Sequence, residues 1–152
     1  MLMQRLLAPY ADWIFSITRI VVGMMFWMHG TTKLFGFPPG ARGGARSLEV
    51  FSLLWTGGAI ETVGGLLIML GFCTRWAAFI CSGEMAAAYF MARFPYAVLP
   101  IYPRPGILPE SSVFNSFFFL YVAARGAGPL SIDHWIARWR RSRLGADYTA
   151  SL

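Results

Sequence analysis

The sequence predicts an all-α membrane protein: a four-transmembrane-helix bundle with a C-terminal amphipathic interfacial helix. Three observations carry that expectation. Only 13% of the 152 residues are charged and 57% are hydrophobic, whereas a soluble domain carries about 25% charged residues on its surface. Four apolar stretches reach or approach the roughly 20 residues needed to cross about 30 Å of hydrocarbon. Proline clusters fall between these stretches and not inside them. The length suits one domain, divided into a transmembrane part at 1–130 and a basic cytoplasmic tail at 131–152 that carries the interfacial helix.

The first span is expected at about 13–35, with Trp13 and Trp27 as aromatic landmarks, and the second at 53–72. The third is expected at 76–94 and the fourth at 111–125, the last reaching a spanning length only by including Ser111, Ser112 and Arg125. Phe37-Pro38-Pro39-Gly40 and Gly43-Gly44 stop the first helix. Ser47 to Trp55 reads as a short helix feeding the second span. Gly71-Phe72-Cys73-Thr74-Arg75 is a tight turn, which makes the second and third spans antiparallel neighbours. Pro95, Pro100, Pro103, Pro105 and Pro109 exclude a regular helix before the fourth span. The segment before Trp13 is too polar and too short for a signal peptide's apolar core, so the first span is expected to stay in the mature protein.

A formal charge of +6 raises nucleic acid as a partner, but the basic residues are scattered and then clustered in the tail, which fits a membrane surface and not a nucleic acid. Arg138, Arg140, Arg141 and Arg143 lie in that tail and Arg75 in the turn on the same side. By the positive-inside rule both termini are expected to be cytoplasmic. From Ser131 to Arg143, Ile132, Trp135, Ile136 and Trp139 recur at helical spacing, the mark of an interfacial helix. Ser131 suits its N-cap and Asp133 its first turn. Cys73 and Cys81 make no CxxC motif and the two histidines are far apart, so no metal site is expected.

Ionisable residues inside the spans are the candidates for function, because each costs about 2.5 kcal/mol or more at the membrane midplane. At 1.5 Å per residue, Glu61 and Glu84 fall about 12 Å into their helices and Arg19 about 9 Å into its own, which places all three near one level. Arg19, Glu61 and Glu84 are therefore expected to form a buried polar cluster. One arginine facing two carboxylates favours a retained proton, suited to proton handling or to hydrogen bonding a quinone. The competing reading is a structural lock between three helices. Gly57, Gly58, Gly64 and Gly65 around Glu61 predict close helix packing, with Ala78, Ser82 and Ala86 as the matching stripe on the third span. A second, outer cluster is expected from His29, Lys33, Glu110 and Asn115, either binding a headgroup or relaying protons, or serving as ordinary interfacial polar residues.

Four segments together carry a family resemblance: Thr18-Arg19-Ile20-Val21-Val22-Gly23, then His29-Gly30 with Lys33. Ile60-Glu61-Thr62-Val63-Gly64-Gly65-Leu66-Leu67 follows, ending in Leu70-Gly71-Phe72-Cys73-Thr74-Arg75. The last is Gly126-Ala127-Gly128-Pro129-Leu130-Ser131-Ile132-Asp133. In this order and over nearly the whole chain, the sequence resembles the DoxX family of small four-helix bacterial membrane proteins. The residues that match the family pattern are Arg19, His29, Lys33, Glu61, Gly64, Gly65, Ser131 and Asp133. The resemblance implies a multi-pass subunit of the bacterial inner membrane, at most the membrane part of an oxidoreductase, with quinone as the implied cofactor. The proline-rich loop departs from the pattern and is a candidate partner-docking surface.

Three functions compete on this reading. A quinone-linked redox subunit would use Arg19, Glu61, Glu84 and His29 for protons. Against it, the sequence offers no haem ligand pair, no iron–sulfur cysteine set and no nucleotide-binding glycine loop, so any redox centre would be a quinone or belong to a partner. A non-catalytic accessory or structural subunit would pack against other membrane subunits of a larger assembly, with Phe117-Phe118-Phe119 as an apolar wall. A small transporter needs a solvated path that four tightly packed helices rarely provide.

Overall fold

Proline and glycine set the helix boundaries. In the computed structural model, which describes residues 2–38, 49–93 and 109–150, a short helix α1 (Leu2–Leu7) leads through a 3₁₀ turn at Ala8–Tyr10, containing Pro9, into α2 (Ala11–Phe35). Gly36 ends α2 with a left-handed φ of 67° and donates its N–H to the Thr32 carbonyl, the usual C-terminal use of glycine. The next helices are α3 (Leu53–Leu70) and α4 (Thr74–Ala88), the latter continuing as a π-helical turn over Tyr89–Arg93. After them come α5 (Pro109–Arg125) and α6 (Ile132–Ala150). No strand occurs among the described residues.

The expected boundaries agree with these helices to within a few residues, with two corrections. The short helix expected at Ser47–Trp55 does not form over Glu49–Ser52: Phe51 takes a φ of 67°, and the Ser52 side chain accepts the Trp55 N–H at 3.2 Å. A capping serine after a left-handed residue starts α3 afresh at Leu53 and does not continue an earlier helix. Ser47, Leu48 and the proline-rich loop up to residue 108 lie outside the described residues. The tail helix is also longer than expected, running on to Ala150.

Helices α2 and α3 touch through backbone. A Cβ on Gly65 would stand 2.5 Å from the Trp27 backbone nitrogen, and one on Gly23 would stand 2.7 Å from that of Met69. Gly30 likewise lies against Thr62 and the Gly58 carbonyl. Glycines at these places let two helices pack at backbone distance. The expected match between the α3 glycines and the small residues of α4 is therefore corrected. Gly58 and Gly65 face α2, Gly57 and Gly64 face α4 at Glu84 and Cys81, and Ser82 turns to α5. There the Ser82 hydroxyl donates to the Ser116 carbonyl at 2.8 Å and the Ser116 hydroxyl donates back to the Ser82 carbonyl at 3.1 Å. The ring closes from α5 to α2 through Phe26 against Phe119, with centroids 4.7 Å apart, and Phe15 against Tyr121 at 5.6 Å.

The resulting four-helix bundle buries polar side chains and turns large apolar ones outward. Arg19, Ser16, Thr74, Glu61 and Ser82 are buried, while Met25, Val63, Trp76, Phe79, Ile80 and Phe117 are exposed. A water-facing surface is built the other way round. Two helical stretches, Arg5–Phe35 and Leu53–Leu70, are long and apolar enough by themselves to cross a membrane. Helix α4 has 15 residues and α5 has 17, and the π-helical turn extends α4 toward a similar length.

Candidate functional site

Two polar centres are built into the bundle, one at the C-terminal end of α3 and one near its middle. At the end shared by the α3–α4 turn and the α5–α6 connection, Arg19 is fully buried. Its Nε donates to the Ala127 carbonyl at 2.8 Å, Nη1 to the carbonyls of Ile68 and, at 3.1 Å, Met69, and Nη2 to that of Leu130. A helix C-terminus presents carbonyls without intrahelical partners and carries partial negative charge. Arg19, near the start of α2, lies beside the end of its antiparallel neighbour α3 and supplies what that end lacks.

Arg75 performs the same service one helix pair further on. Its Nη1 donates to the carbonyls of Ala123 at 2.9 Å and Ala124 at 2.7 Å, and its Nη2 to that of Arg125 at 3.3 Å, closing the end of α5. Asp133 does the converse for a helix N-terminus. Its two carboxylate oxygens each accept a backbone N–H at 2.9 Å, from Cys73 and from Thr74, while its own N–H donates to the Gly71 carbonyl at 2.9 Å. Cys73 is thereby held at a left-handed φ of 48°. Arg125 adds an ion pair to Asp12 and lies over the Phe15 ring at 4.2 Å. The expected N-cap is present: Ser131 Oγ accepts the His134 N–H at 3.1 Å.

The expected cluster of Arg19, Glu61 and Glu84 does not form as written. Glu61 lies seven residues, about 10 Å, before Ile68 along α3, and the Arg19 guanidinium is already filled with carbonyls. Glu61 pairs instead with Lys33, whose Nζ donates to Oε1 at 2.6 Å. The register explains this: Gly30 sits on Thr62, and the Lys33 Cβ is 3.3 Å from where a Gly58 Cβ would be, one turn before Glu61. Glu61 is only 3% exposed, and its second oxygen, Oε2, is buried without a hydrogen-bond partner. Glu84 on α4 faces α3 one turn before Glu61, its Oε1 3.4 Å from a Cβ placed on Gly57. Fully buried Cys81 sits within electrostatic range of both carboxylates.

The outer group of His29, Lys33, Glu110 and Asn115 is likewise divided. Lys33 leaves it for Glu61, His29 and Glu110 are exposed, and Asn115 lies on α5. Among the described residues no hydrogen bond or ion pair joins His29, Glu110 and Asn115. The two groups drawn from the sequence thus become one carbonyl clamp around Arg19 and one Lys33–Glu61 pair, with Glu84 across from Gly57.

Sequence reasoning missed the roles of Arg75 and of the Asp133 carboxylate. The signal was available for Arg75, since an arginine in the first turn of a helix opposes the positive end of that helix's own dipole. It needs another partner, and the end of an antiparallel neighbour is the nearest.

The DoxX family model matches residues 14–93, from α2 to the π-helical turn. An uncharacterized protein of Haemophilus influenzae is 38% identical over 128 residues, covering 84% of this chain and 94% of that protein. No solved structure matches the chain.

Proposed function

The chain belongs to the DoxX family of membrane-associated proteins, and on that premise we propose that it is a four-span inner-membrane subunit of a quinone-linked oxidoreductase assembly. Helices α2 to α5 are its spans, with both termini cytoplasmic, and α6 is an interfacial helix outside them. Lys33 and Glu61 are its quinone-facing pair. The observation that carries this reading is the buried second oxygen of Glu61: a carboxylate with one oxygen on Lys33 and the other without a partner is costly in hydrocarbon. It is the kind of group that exchanges a proton or accepts a hydrogen bond from a ligand hydroxyl.

A bound quinone supplies two-electron, two-proton chemistry that none of the chain's side chains offers. Lys33, half-buried beside the pair, has three donor hydrogens and one engaged, so it can also donate to a ligand carbonyl. Glu61 holds or releases the proton at Oε2, and Glu84 adds a second carboxylate to the same seam. Electrons enter and leave through other subunits of the assembly.

The accessory reading has its own support. Arg19, Arg75, Asp133 and Ser131, all within the segments that carry the family resemblance, form a structural clamp and not a reactive site. A purely non-catalytic subunit would need nothing more.

Purification from native membranes in mild detergent separates the two readings, and Glu61 variants sharpen the test. The quinone reading expects stoichiometric quinone on the wild-type protein and its loss in Glu61→Ala. Glu61→Gln should melt at a higher temperature than Glu61→Ala, because the carboxamide keeps volume and one acceptor for Lys33. Stoichiometric partner subunits with no quinone on any of them would replace the first reading with the accessory one.

A further inference from the structure

The face of α6 turned away from the bundle holds an open groove of about 500 Å³, lined by Pro129, His134, Trp135, Arg138, Trp139 and Ser142. His134, Arg138 and Ser142 recur every fourth residue and so form one polar stripe along the helix. Trp135 and Trp139 stand on its flank, 69% and 52% exposed. The opposite side of the helix is the one that Asp133 ties to the start of α4. This orientation fixes the groove as an outward-facing surface.

We propose that this groove binds the phosphate of an anionic phospholipid headgroup at the membrane surface, a proposal that rests on the four-span reading with α6 at the interface. Charge complementarity is the argument. Arg138 has no hydrogen-bond or ion-pair partner among the described residues, whereas Arg143 is stacked on the Trp139 ring at 4.7 Å and Arg19, Arg75 and Arg125 are all engaged with carbonyls or Asp12. A guanidinium presents a planar fork of donors matched to a phosphate. His134 one turn before it extends the donor row, while the Ser142 hydroxyl one turn after it donates to the Trp139 carbonyl at 2.7 Å. The two indoles supply what a free anion would not use: large amphipathic rings of the type that settles at the headgroup level, beside the glycerol and first methylenes of a lipid. A phosphate held between Arg138 and His134 therefore places the acyl chains along Trp135 and Trp139.

The test uses the full chain purified in a neutral detergent, with thermal unfolding followed as short-chain phosphatidylglycerol is added. The expected result is a rise of several degrees with phosphatidylglycerol and little with phosphatidylcholine or inorganic phosphate. Arg138→Gln and His134→Gln, both at exposed positions, should melt like the wild type without lipid and lose most of that rise. An equal rise with phosphatidylcholine, or an undiminished rise in both variants, would overturn the proposal. Equal stabilisation by inorganic phosphate would overturn it in favour of a simple anion site, and by polyglutamate in favour of an acidic protein surface. Failure of the four-span reading would look different, since the chain would then stay monodisperse when detergent is removed.

Discussion

Replacing Arg19 with alanine is expected to abolish recovery of folded protein. The substitution removes every donor that Arg19 gives to Ile68, Met69, Ala127 and Leu130. These acceptors come from a helix end and from a separate connection, so no single rearrangement satisfies them all. A buried polar group left without a partner costs about 1–3 kcal/mol, and water is the only substitute. Several such groups together exceed a large part of the roughly 5–15 kcal/mol by which a typical domain is stable. Arg19→Lys should be nearly as damaging, because an ammonium concentrates its donors at one point and cannot reach carbonyls spread around a planar fork. Size-exclusion profiles and melting curves in detergent provide the measurement. A well-folded Arg19→Ala protein melting within a few degrees of the wild type would show that the clamp does not hold the bundle.

Gly65→Leu should be strongly damaging to the α2–α3 seam. Its Cβ alone would lie 2.5 Å from the Trp27 nitrogen and 2.8 Å from the Trp27 Cα. Both are backbone atoms of a long helix and cannot swing aside, so the helices must part along the seam that also holds Gly23, Gly30 and Gly58. Overpacking usually costs about 1–3 kcal/mol where side chains can adjust, and here they cannot. Gly83 on α4 is the control: it is exposed, and a Cβ added there would meet nothing within 4 Å. Gly83→Ala should be neutral or stabilising by up to about 1 kcal/mol through helix propensity. Melting curves should show a large loss for Gly65→Leu and no loss for Gly83→Ala, and equal losses would show that the seam is not governed by backbone contact.

Helix positions were legible in the sequence because length, hydropathy and proline placement act locally. The stretches expected at 13–35 and 53–72 became Ala11–Phe35 and Leu53–Leu70. The close packing announced by Gly58 and Gly65 was legible too, but not its partner. Glycine permits approach without saying from which side, and Gly23 and Gly30 on α2 took the place expected for the small residues of α4. The site was half legible. Counting residues along helices placed Arg19 and Glu61 near one level, whereas Arg19 stands beside Ile68, about 10 Å along α3 from Glu61. It also treated arginine as a partner for carboxylates alone. Carbonyls at a helix end are invisible to a search for charged pairs, so the role of Arg19 emerged only once the end of α3 was seen beside it. Lys33 was found from the sequence and assigned to the outer group, because its pairing with Glu61 depends on the α2–α3 register that the glycines set.

On the proposed topology, the clamped end of the bundle, with Arg19, Arg75, Asp133 and the arginine-rich tail, lies in the cytoplasm, and four helices cross the membrane. Reporter fusions test this most directly. Alkaline phosphatase joined at the C-terminus, or within the Gly71–Cys73 turn of a chain truncated there, should be inactive. Joined after Gly40, between α2 and α3, it should be active. Strong periplasmic activity from the C-terminal fusion, or none from the fusion after Gly40, would contradict the four-span topology.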